Sequence, residues 1–192
     1  TGTRGPGPRT TIAALALARP DLAARITELT WMGGGVTSGN HTASAEFNAL
    51  ADPEALAIVI ASGLPLRMVD LDLCRKVIAV PDDVGPIRNA GGANAEMLAD
   101  FLDGYIGIGT SRGRAGMAIY DPCAAVAFAH PEIVTFRAAR IDVELQGKLT
   151  RGRTVVETRA THAKPNADYA VEIDSEAARA IILGSLQQEA GR

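Results

Sequence analysis

Residues 32–48 read MGGGVTSGNHTASAEFN, a glycine-rich turn followed by three side chains that readily form hydrogen bonds, Asn40, Glu46 and Asn48. Residues 26–32 alternate apolar and polar side chains, as a strand does, and a helical pattern follows the turn. In an open α/β sheet, ligands bind beyond the carboxyl ends of the strands, and glycines let the backbone approach them closely. We therefore predict a ligand-binding loop. It lacks the Lys-Ser/Thr of a P-loop and the GxGxxG of a dinucleotide fold.

The order of the remaining elements indicates an α/β fold. Helical patterns cover residues 10–19, 52–62, 81–104, 121–130 and 174–186. Strand patterns cover residues 26–32, 66–71 and several stretches between 133 and 173. Because helix and strand alternate in the first part of the chain, parallel pairing is predicted there. Thr10 or Thr11 is the expected cap of the first helix, Asp174 caps the last one, and residues 105–117 are predicted to form a mobile loop.

Composition limits the class of protein. The chain has 192 residues, 47% of them hydrophobic, which is enough for one substantial core without disulfides. Its 19 basic and 22 acidic residues give a net charge of -3 and form no basic stripe, so nucleic acid is not an expected partner. No membrane span or signal peptide is predicted. Cys74 and Cys123 form no CxxC pair, which favours a reducing, cytoplasmic location.

The glycine loop resembles the sugar-binding loop of the inosine-uridine preferring nucleoside hydrolases, whose pattern is MGG, a short spacer, GN, TPAAEFN and a DPEAA helix start. Other matching stretches are DPEA at 52–55, GPRTTIA at 7–13, PLRMV at 65–69, DPCA at 121–124 and GKLTRGRTVV at 147–156. The resemblance implies a nucleoside hydrolase-like (Rossmann-like) open, mostly parallel sheet flanked by helices, with a strand-rich C-terminal portion. Residues 1–192 would form a single domain, truncated at its N-terminus relative to the family, with residues 1–8 as a flexible lead-in.

The resemblance also implies a reaction. The family hydrolyses the N-glycosidic bond of ribonucleosides to a free base and ribose, through a transition state that resembles an oxocarbenium ion. A calcium ion activates the attacking water. By resemblance, Asn40, Glu46 and Asn48 hydrogen-bond the ribose hydroxyls, and Met32 borders the sugar.

Calcium prefers about six to eight oxygen ligands. The resemblance assigns two of them to this chain, the side chain of Asp121 and the backbone carbonyl of Thr10. The family's DxDxGxDD cluster, which supplies most of the ligands and the general base, does not occur in the sequence. Asp70-Leu71-Asp72 and Asp82-Asp83 are the close acidic pairs that could be mistaken for it. A solvated or capping role is expected for Asp70, Asp82 and Asp83, and Asp72 matches the aspartate of the family's GLDVT stretch. We therefore expect an incomplete calcium site and low or no activity in the isolated chain.

Tyr120 stands where many family members have the histidine that contacts the leaving base. A phenol with a pKa near 10 donates a hydrogen bond but is a weak acid at neutral pH. We expect Tyr120 to contact the base, and the alternative is a half-buried residue with its hydroxyl at the surface. The three histidines lack the short spacing of a zinc site, and Cys123 is expected in the core.

Three functional hypotheses follow. The leading one is a ribonucleoside hydrolase that acts on small-molecule nucleosides. The alternatives are a non-catalytic ribose- or nucleoside-binding module and a truncated product that lacks the metal site. Because a truncated sheet exposes strand edges, which promote association, we expect a homo-oligomer, either a dimer or a tetramer.

Overall fold

The structure, a computed structural model, describes residues 2–5, 9–159 and 161–192. Its helices are α1 Thr10–Ala18, α2 Pro20–Ala23, α3 Phe47–Ala51, α4 Pro53–Ala61, α5 Leu71–Cys74, α6 Val84–Arg88, α7 Ala95–Thr110, α8 Asp121–Ala129 and α9 Ser175–Ala190. Its strands are β1 Gly2–Gly5, β2 Glu28–Met32, β3 Leu66–Val69, β4 Ile78–Ala79, β5 Met117–Ala118, β6 Val134–Val143, β7 Thr154–Glu157 and β8 Ala167–Ile173. No helix in these ranges is long and apolar enough to cross a membrane.

A six-stranded sheet has the order β1-β2-β3-β8-β6-β7. Strands β1, β2, β3 and β8 pair in parallel, with Trp31 opposite Met68 in the β2–β3 register. Strand β6 pairs antiparallel with β8 and with β7, and β4 and β5 form a separate antiparallel pair. The predicted α/β fold, with a mostly parallel sheet and a strand-rich C-terminal portion, is confirmed.

Each face of the sheet has its own hydrophobic core. Successive residues of β2 point to opposite faces. Trp31 accordingly belongs to a cluster with Leu56 of α4, whereas Met32 belongs to a cluster with Ile106 of α7. Helices therefore cover the sheet on both sides, as they do in other parallel α/β sheets.

The helix starts agree in part with the sequence-based prediction. Asp52 and Asp174 accept hydrogen bonds from backbone amides at the starts of α4 and α9, each at 3.0 Å. This confirms the cap predicted at Asp174 and the helix start predicted at residue 52. Helix α1 begins at Thr10 without a side-chain cap, so the cap predicted at Thr10 or Thr11 is wrong. The Thr10 hydroxyl instead donates to Asp52, which ties the start of α1 to the start of α4.

Two segments differ from the prediction. Helix α7 continues to Thr110, so the loop predicted over 105–117 is helical in its first part. The helix persists because its inner face is buried: Ile106 is 1% exposed, and Gly109 lies directly against the backbone of Gly116. Residues Gly2–Gly5 form β1, which contradicts a flexible lead-in there, and residues 1 and 6–8 lie outside the described residues.

The glycine turn is held by side chains from distant parts of the chain. The Gly34 amide donates to Glu46 at 2.9 Å, and the Gly35 amide donates to the Thr154 hydroxyl at 2.9 Å. Gly34 has a φ of +75°, a conformation that other residues avoid. A Cβ added to it would lie 2.8 Å from the Thr154 hydroxyl oxygen. This position therefore requires glycine for both its conformation and its limited space.

We expect Gly34→Ala to lower the free energy of unfolding more than Gly63→Ala. Gly63 is a matched control, because its φ is +74° but no heavy atom lies within 4 Å of an added Cβ. A left-handed backbone costs alanine about 1–2 kcal/mol, which is the whole loss expected at Gly63. Displacement of Thr154 adds roughly 1–3 kcal/mol, because the buried Gly35 amide loses its acceptor. Urea unfolding measures both losses, and equal values would contradict the role assigned to Thr154.

Asp70 is a buried carboxylate that joins the end of β3 to the glycine turn. It is 1% exposed, and it accepts hydrogen bonds from the amides of Leu73, at 2.9 Å, and Val36, at 3.3 Å. The bond from Leu73 caps α5, so of the two roles expected for Asp70 the structure confirms capping. Burial raises the pKa of Asp70 to about 6, and the charge of Asp72 adds to this rise.

We expect the free energy of unfolding to decrease as the pH rises, because the pKa of Asp70 is raised in the folded state. The folded state binds the proton of Asp70 more tightly than the unfolded state does. The stabilisation that this proton provides is therefore lost as the pH rises from 3.8 to about 6. That interval corresponds to roughly 3 kcal/mol. Asp70→Asn does not titrate, so the stability of the wild type relative to this variant is expected to decrease across the interval and then level off. Urea unfolding over this pH range measures the difference, and a constant difference would contradict the pKa shift.

Candidate functional site

The predicted ligand loop lies at the carboxyl ends of β2 and β3. The Gly33 amide donates to the Val69 carbonyl at 3.1 Å, and the Leu71 amide donates to the Gly34 carbonyl at 3.0 Å. The turn thus continues the pairing of the two strands beyond their last residues. The amides of residues 40–42 then converge on the Ala45 carbonyl, which brings the chain to the start of α3. This is the edge of the sheet at which open α/β proteins hold ligands.

Glu46 lies at the centre of this loop and is 2% exposed. One carboxylate oxygen accepts from the amides of Gly34, at 2.9 Å, and Ala49, at 3.0 Å. The other accepts from the Asn48 amide at 2.9 Å. Glu46 therefore caps α3 and holds the glycine turn at the same time. Burial raises the pKa of Glu46, and the three hydrogen bonds oppose that rise.

The two predicted asparagines are each anchored by one end of the amide group. Asn40 Oδ1 accepts from the Phe47 amide at 3.0 Å, whereas Asn48 Nδ2 donates to the Met32 carbonyl at 3.2 Å. Within the described residues, Asn40 retains its NH₂ donors, Asn48 its carbonyl oxygen, and Glu46 one lone pair on the oxygen that bonds Asn48. The residues predicted to contact the sugar thus lie together, with both donors and acceptors available to a ligand.

A cavity of about 430 Å³, called here the polar cavity, opens beside Asn40. Its lining consists of Gly39, Asn40, His41, Phe47, Arg75, Arg112, Arg114, Met117 and Tyr120. Of the four residues predicted to contact the sugar, Asn40 lines this cavity together with the predicted base contact, Tyr120, whereas Met32, Glu46 and Asn48 do not line it. Its volume falls within the range of small-molecule sites, about 300–1,000 Å³. The arginine cluster was not predicted from the sequence, because Arg75 is far along the chain from Arg112 and Arg114.

Tyr120 also borders a second cavity of about 540 Å³ between α7, α8 and α9, called here the apolar cavity. The other lining residues are Leu98, Phe101, Leu102, Tyr105, Ile119, Asp121, Pro122, Ile182, Leu183 and Leu186. The Tyr105 hydroxyl donates to the Ala118 carbonyl at 2.6 Å, and burial raises the pKa of Tyr105. Tyr120 is half-buried and contacts a polar space on one side and an apolar space on the other.

Arg9 is a charged residue of the site that sequence analysis did not single out. It is 2% exposed, and its guanidinium carbon lies 6.0 Å from the centroid of the Trp31 ring. Burial lowers the pKa of Arg9 to about 10, and the charges of Asp121 and Glu46 oppose that shift. The side chain therefore stays positive at neutral pH.

The residues predicted to hold calcium do not form a metal site by themselves. Asp121 lies in the first turn of α8, where burial raises its pKa and the charge of Arg9 lowers it. Thr10 begins α1, and its hydroxyl bonds Asp52. In residues 2–5, 9–159 and 161–192, no group of three or more His, Cys, Asp or Glu side chains could hold a metal ion. Because the positive charge of Arg9 acts on Asp121, and because calcium prefers about six to eight oxygen ligands, the described residues do not fit calcium by themselves.

Cys74 and Cys123 are far apart in sequence but contact each other in the core, where the Cys74 thiol bonds the backbone of Tyr120. Both are buried free thiols, which confirms the core position predicted for Cys123. The Cys123 thiol donates to the Ile119 carbonyl at 2.6 Å, and the Cys74 thiol donates to the Tyr120 carbonyl at 3.6 Å. Contact with Cys123, followed by burial, raises the pKa of Cys74. The two thiols therefore support the backbone that carries Tyr120.

Comparisons with known proteins identify relatives over most of the chain. A family model described as "Inosine-uridine preferring nucleoside hydrolase" matches residues 6–180. The chain is 37% identical over 171 residues to the pyrimidine-specific ribonucleoside hydrolase RihA of Salmonella paratyphi B, and 34% identical over 174 residues to that of Klebsiella pneumoniae. These matches cover 88% and 89% of this chain but 55% and 56% of the relatives. The chain thus spans about half the length of the curated relatives it matches.

Solved structures give the same result. The purine-preferring ribonucleoside hydrolase from Gardnerella vaginalis matches with a TM-score of 0.89 at 28% identity, over 98% of this chain and 60% of that chain. An inosine-uridine preferring nucleoside hydrolase from Bacillus anthracis matches with a TM-score of 0.74 at 21% identity, over 98% and 60% of the two chains, and shares the fold. The chain belongs to the inosine-uridine preferring nucleoside hydrolase family.

Proposed function

We propose that this chain holds a ribonucleoside for hydrolysis of its N-glycosidic bond, which yields a free base and ribose. The observation that carries the proposal is the polar cavity, whose lining joins Asn40 of the sugar loop to Tyr120 at the start of α8. Family membership supports the reaction class. The chain spans about half the length of its curated relatives. The hydrolase activity of the whole protein is therefore proposed as well.

In the proposed complex, the ribose lies against residues 40–48. Asn40 donates through Nδ2, and Asn48 and Glu46 accept through the oxygen lone pairs that remain to them. Ribose hydroxyls both donate and accept, so they match this set. Met32 is buried, and its carbonyl fixes the amide of Asn48, which orients the acceptor toward the sugar.

Cleavage breaks the bond between the anomeric carbon and the base nitrogen, and the bonding electrons leave with the base. Water adds to the carbon, and overall the proton that it loses is gained by the base. Positive charge develops on the sugar as the base departs. The buried carboxylate of Glu46 favours that charge, because a fixed negative group acts more strongly where water is excluded. Tyr120 contacts the leaving base, either by packing its ring against it or by donating a hydrogen bond to it from the hydroxyl.

Nucleoside hydrolases are metal-dependent in general, and calcium is the ion that we propose for the complete site. The ligands proposed from this chain are the side chain of Asp121 and the backbone carbonyl of Thr10. The described residues do not make that site alone, since Arg9 places a positive charge near Asp121.

A second candidate function is nucleoside binding without turnover. The observation that favours it is Arg9, whose guanidinium supplies a fixed positive charge near Asp121 and Glu46. Both candidate functions use the same sugar loop, residues 40–48. Base release from uridine and inosine, measured with and without calcium, separates the candidates. Calcium-dependent release supports the hydrolase and would contradict the low activity expected of the isolated chain, whereas binding without release favours the binding module.

We also propose a cytoplasmic homo-oligomer, either a dimer or a tetramer. Among the described strands β1 pairs only with β2, and an open strand edge promotes association. The free thiols of Cys74 and Cys123 suit a reducing compartment. Light scattering of the purified chain measures its assembly state, and a monomer would contradict this proposal.

We expect Asn40→Asp to weaken the binding of uridine and inosine about tenfold. Aspartate keeps the acceptor for the Phe47 amide but lacks the NH₂ donors proposed for the ribose. Loss of one hydrogen bond of about 1.4 kcal/mol corresponds to that factor. Isothermal titration calorimetry measures the affinity, and urea unfolding verifies that stability is retained.

Asn89→Asp is the matched control for this substitution. Asn89 is exposed at the end of α6 and lines neither the polar nor the apolar cavity. The substitution therefore adds the same negative charge at a position away from the site. Its affinity for both nucleosides is expected to equal that of the wild type. An unchanged affinity in folded Asn40→Asp would contradict the proposed sugar contact.

We expect the Arg9 guanidinium to suppress cation binding near Asp121. Terbium substitutes for calcium in this test, and its emission is sensitised by a nearby tryptophan. The single tryptophan, Trp31, has its ring centroid 6.0 Å from the Arg9 guanidinium carbon. Arg9→Gln is expected to increase sensitised emission several-fold, because a like charge is removed. Arg19→Gln, which removes an exposed arginine, is the control. Saturable, calcium-competed emission from the wild type at micromolar terbium would contradict this role of Arg9.

A further inference from the structure

The polar cavity concentrates positive charge in an acidic protein. Its lining includes Arg75, Arg112 and Arg114 but no aspartate or glutamate. The chain as a whole has a net charge of -3, so this cluster does not reflect the average composition. Guanidinium groups that share one cavity repel each other, and a bound anion removes that repulsion. A neutral nucleoside does not supply such a charge.

Arg75 is fixed in place by the loop that contains the sugar-binding residues. Its Nη1 donates to the Ser38 hydroxyl at 2.9 Å and to Asp72 at 3.1 Å, and its Nη2 donates to the Gly39 carbonyl at 3.1 Å. Asp72 is the charged partner among these three, so it offsets one of the three positive charges. The fixed position lowers the entropy that a ligand contact with Arg75 would cost.

Arg112 and Arg114 reach the cavity from the segment that follows α7. Both are exposed, and neither forms an ion pair with an acidic residue in the described part of the chain. The carboxyl end of a helix favours a nearby cation. That effect does not explain why Arg75 lines the same cavity, because Arg75 comes from a different segment of the chain.

We propose that the polar cavity binds the phosphate of a ribonucleoside 5′-monophosphate, so that nucleotides are ligands of this site. The inference rests on the proposed function, because it uses the same sugar loop. A phosphate monoester carries about -1.5 to -2 charges and three acceptor oxygens, which match several guanidiniums better than one carboxylate does. Arginine binds phosphate oxygens in bidentate geometry. The phosphate of a nucleotide is attached to the sugar, and Asn40 brings the sugar loop to this cavity.

Calorimetric titration of the 192-residue chain with uridine, uridine 5′-monophosphate and inorganic phosphate tests the inference. We expect the monophosphate to bind about tenfold or more tightly than uridine at low salt. The advantage is expected to shrink at high salt, where exposed charges are screened. Arg112→Gln/Arg114→Gln is expected to bring the two affinities close together. Arg112→Lys/Arg114→Lys retains the charge but not the bidentate geometry, and it is expected to restore part of the difference.

Arg19→Gln/Arg192→Gln is the charge-matched control. Both arginines are well exposed and lie outside the polar cavity. The control is expected to retain the wild-type ratio of the two affinities, and a loss of the ratio in the control would overturn the assignment to the cavity. Urea unfolding of each double variant verifies that it is folded.

The outcomes separate this inference from the function on which it rests. Equal affinities for uridine and its monophosphate would overturn the inference and leave nucleoside binding intact. Failure to bind either ligand would overturn the proposed function as well. Inorganic phosphate could bind as tightly as the monophosphate and lose its affinity equally in Arg112→Gln/Arg114→Gln. That result would make the cavity a simple anion site and overturn the nucleotide assignment.

Discussion

The candidate site depends on one buried carboxylate, that of Glu46. It accepts hydrogen bonds from the amides of Gly34, Asn48 and Ala49, which belong to the glycine turn and the first turn of α3. An amide left without an acceptor in such a buried region costs about 1–3 kcal/mol. Hydrogen bonds to a charged group are about twice as strong as neutral ones, and they offset the burial that raises the pKa of Glu46. One interaction therefore determines both the shape of the loop and its charge.

Residues far away in sequence complete this arrangement. Thr154 bonds the amide and the carbonyl of Gly35 across 119 positions, and Arg153 donates to the Val36 carbonyl at 3.0 Å. The strand-rich C-terminal portion thus supports the turn without lining the polar cavity. Contacts at such sequence separation require closure of a long loop, which costs entropy. The native hydrogen bonds of the turn therefore include partners that the antiparallel part of the sheet and its neighbouring loop provide.

The sequence predicts those parts of the fold that neighbouring residues determine. Strand β2 and the Asp52-Pro53 start of α4 each follow from a short pattern. The features that it does not predict depend on packing between distant segments. Helix α7 continues past its glycines because Ile106 is buried in the core, and Arg9 acquires its role when Trp31 packs beside it. The polar cavity is of the same kind, because no local pattern brings its three arginines together.

The charges of the site also determine which ligands suit it. In the proposed reaction, departure of the base would leave positive charge on the sugar, which the Glu46 carboxylate would favour and nearby guanidiniums would oppose. The net effect depends on distance, because the interaction between charges weakens as they separate. A phosphate attached to the sugar would neutralise the guanidiniums of the polar cavity and remain with the sugar throughout the reaction. The arginines would then position the ligand while the carboxylate favours the transition state, so that groups of opposite charge support the same reaction.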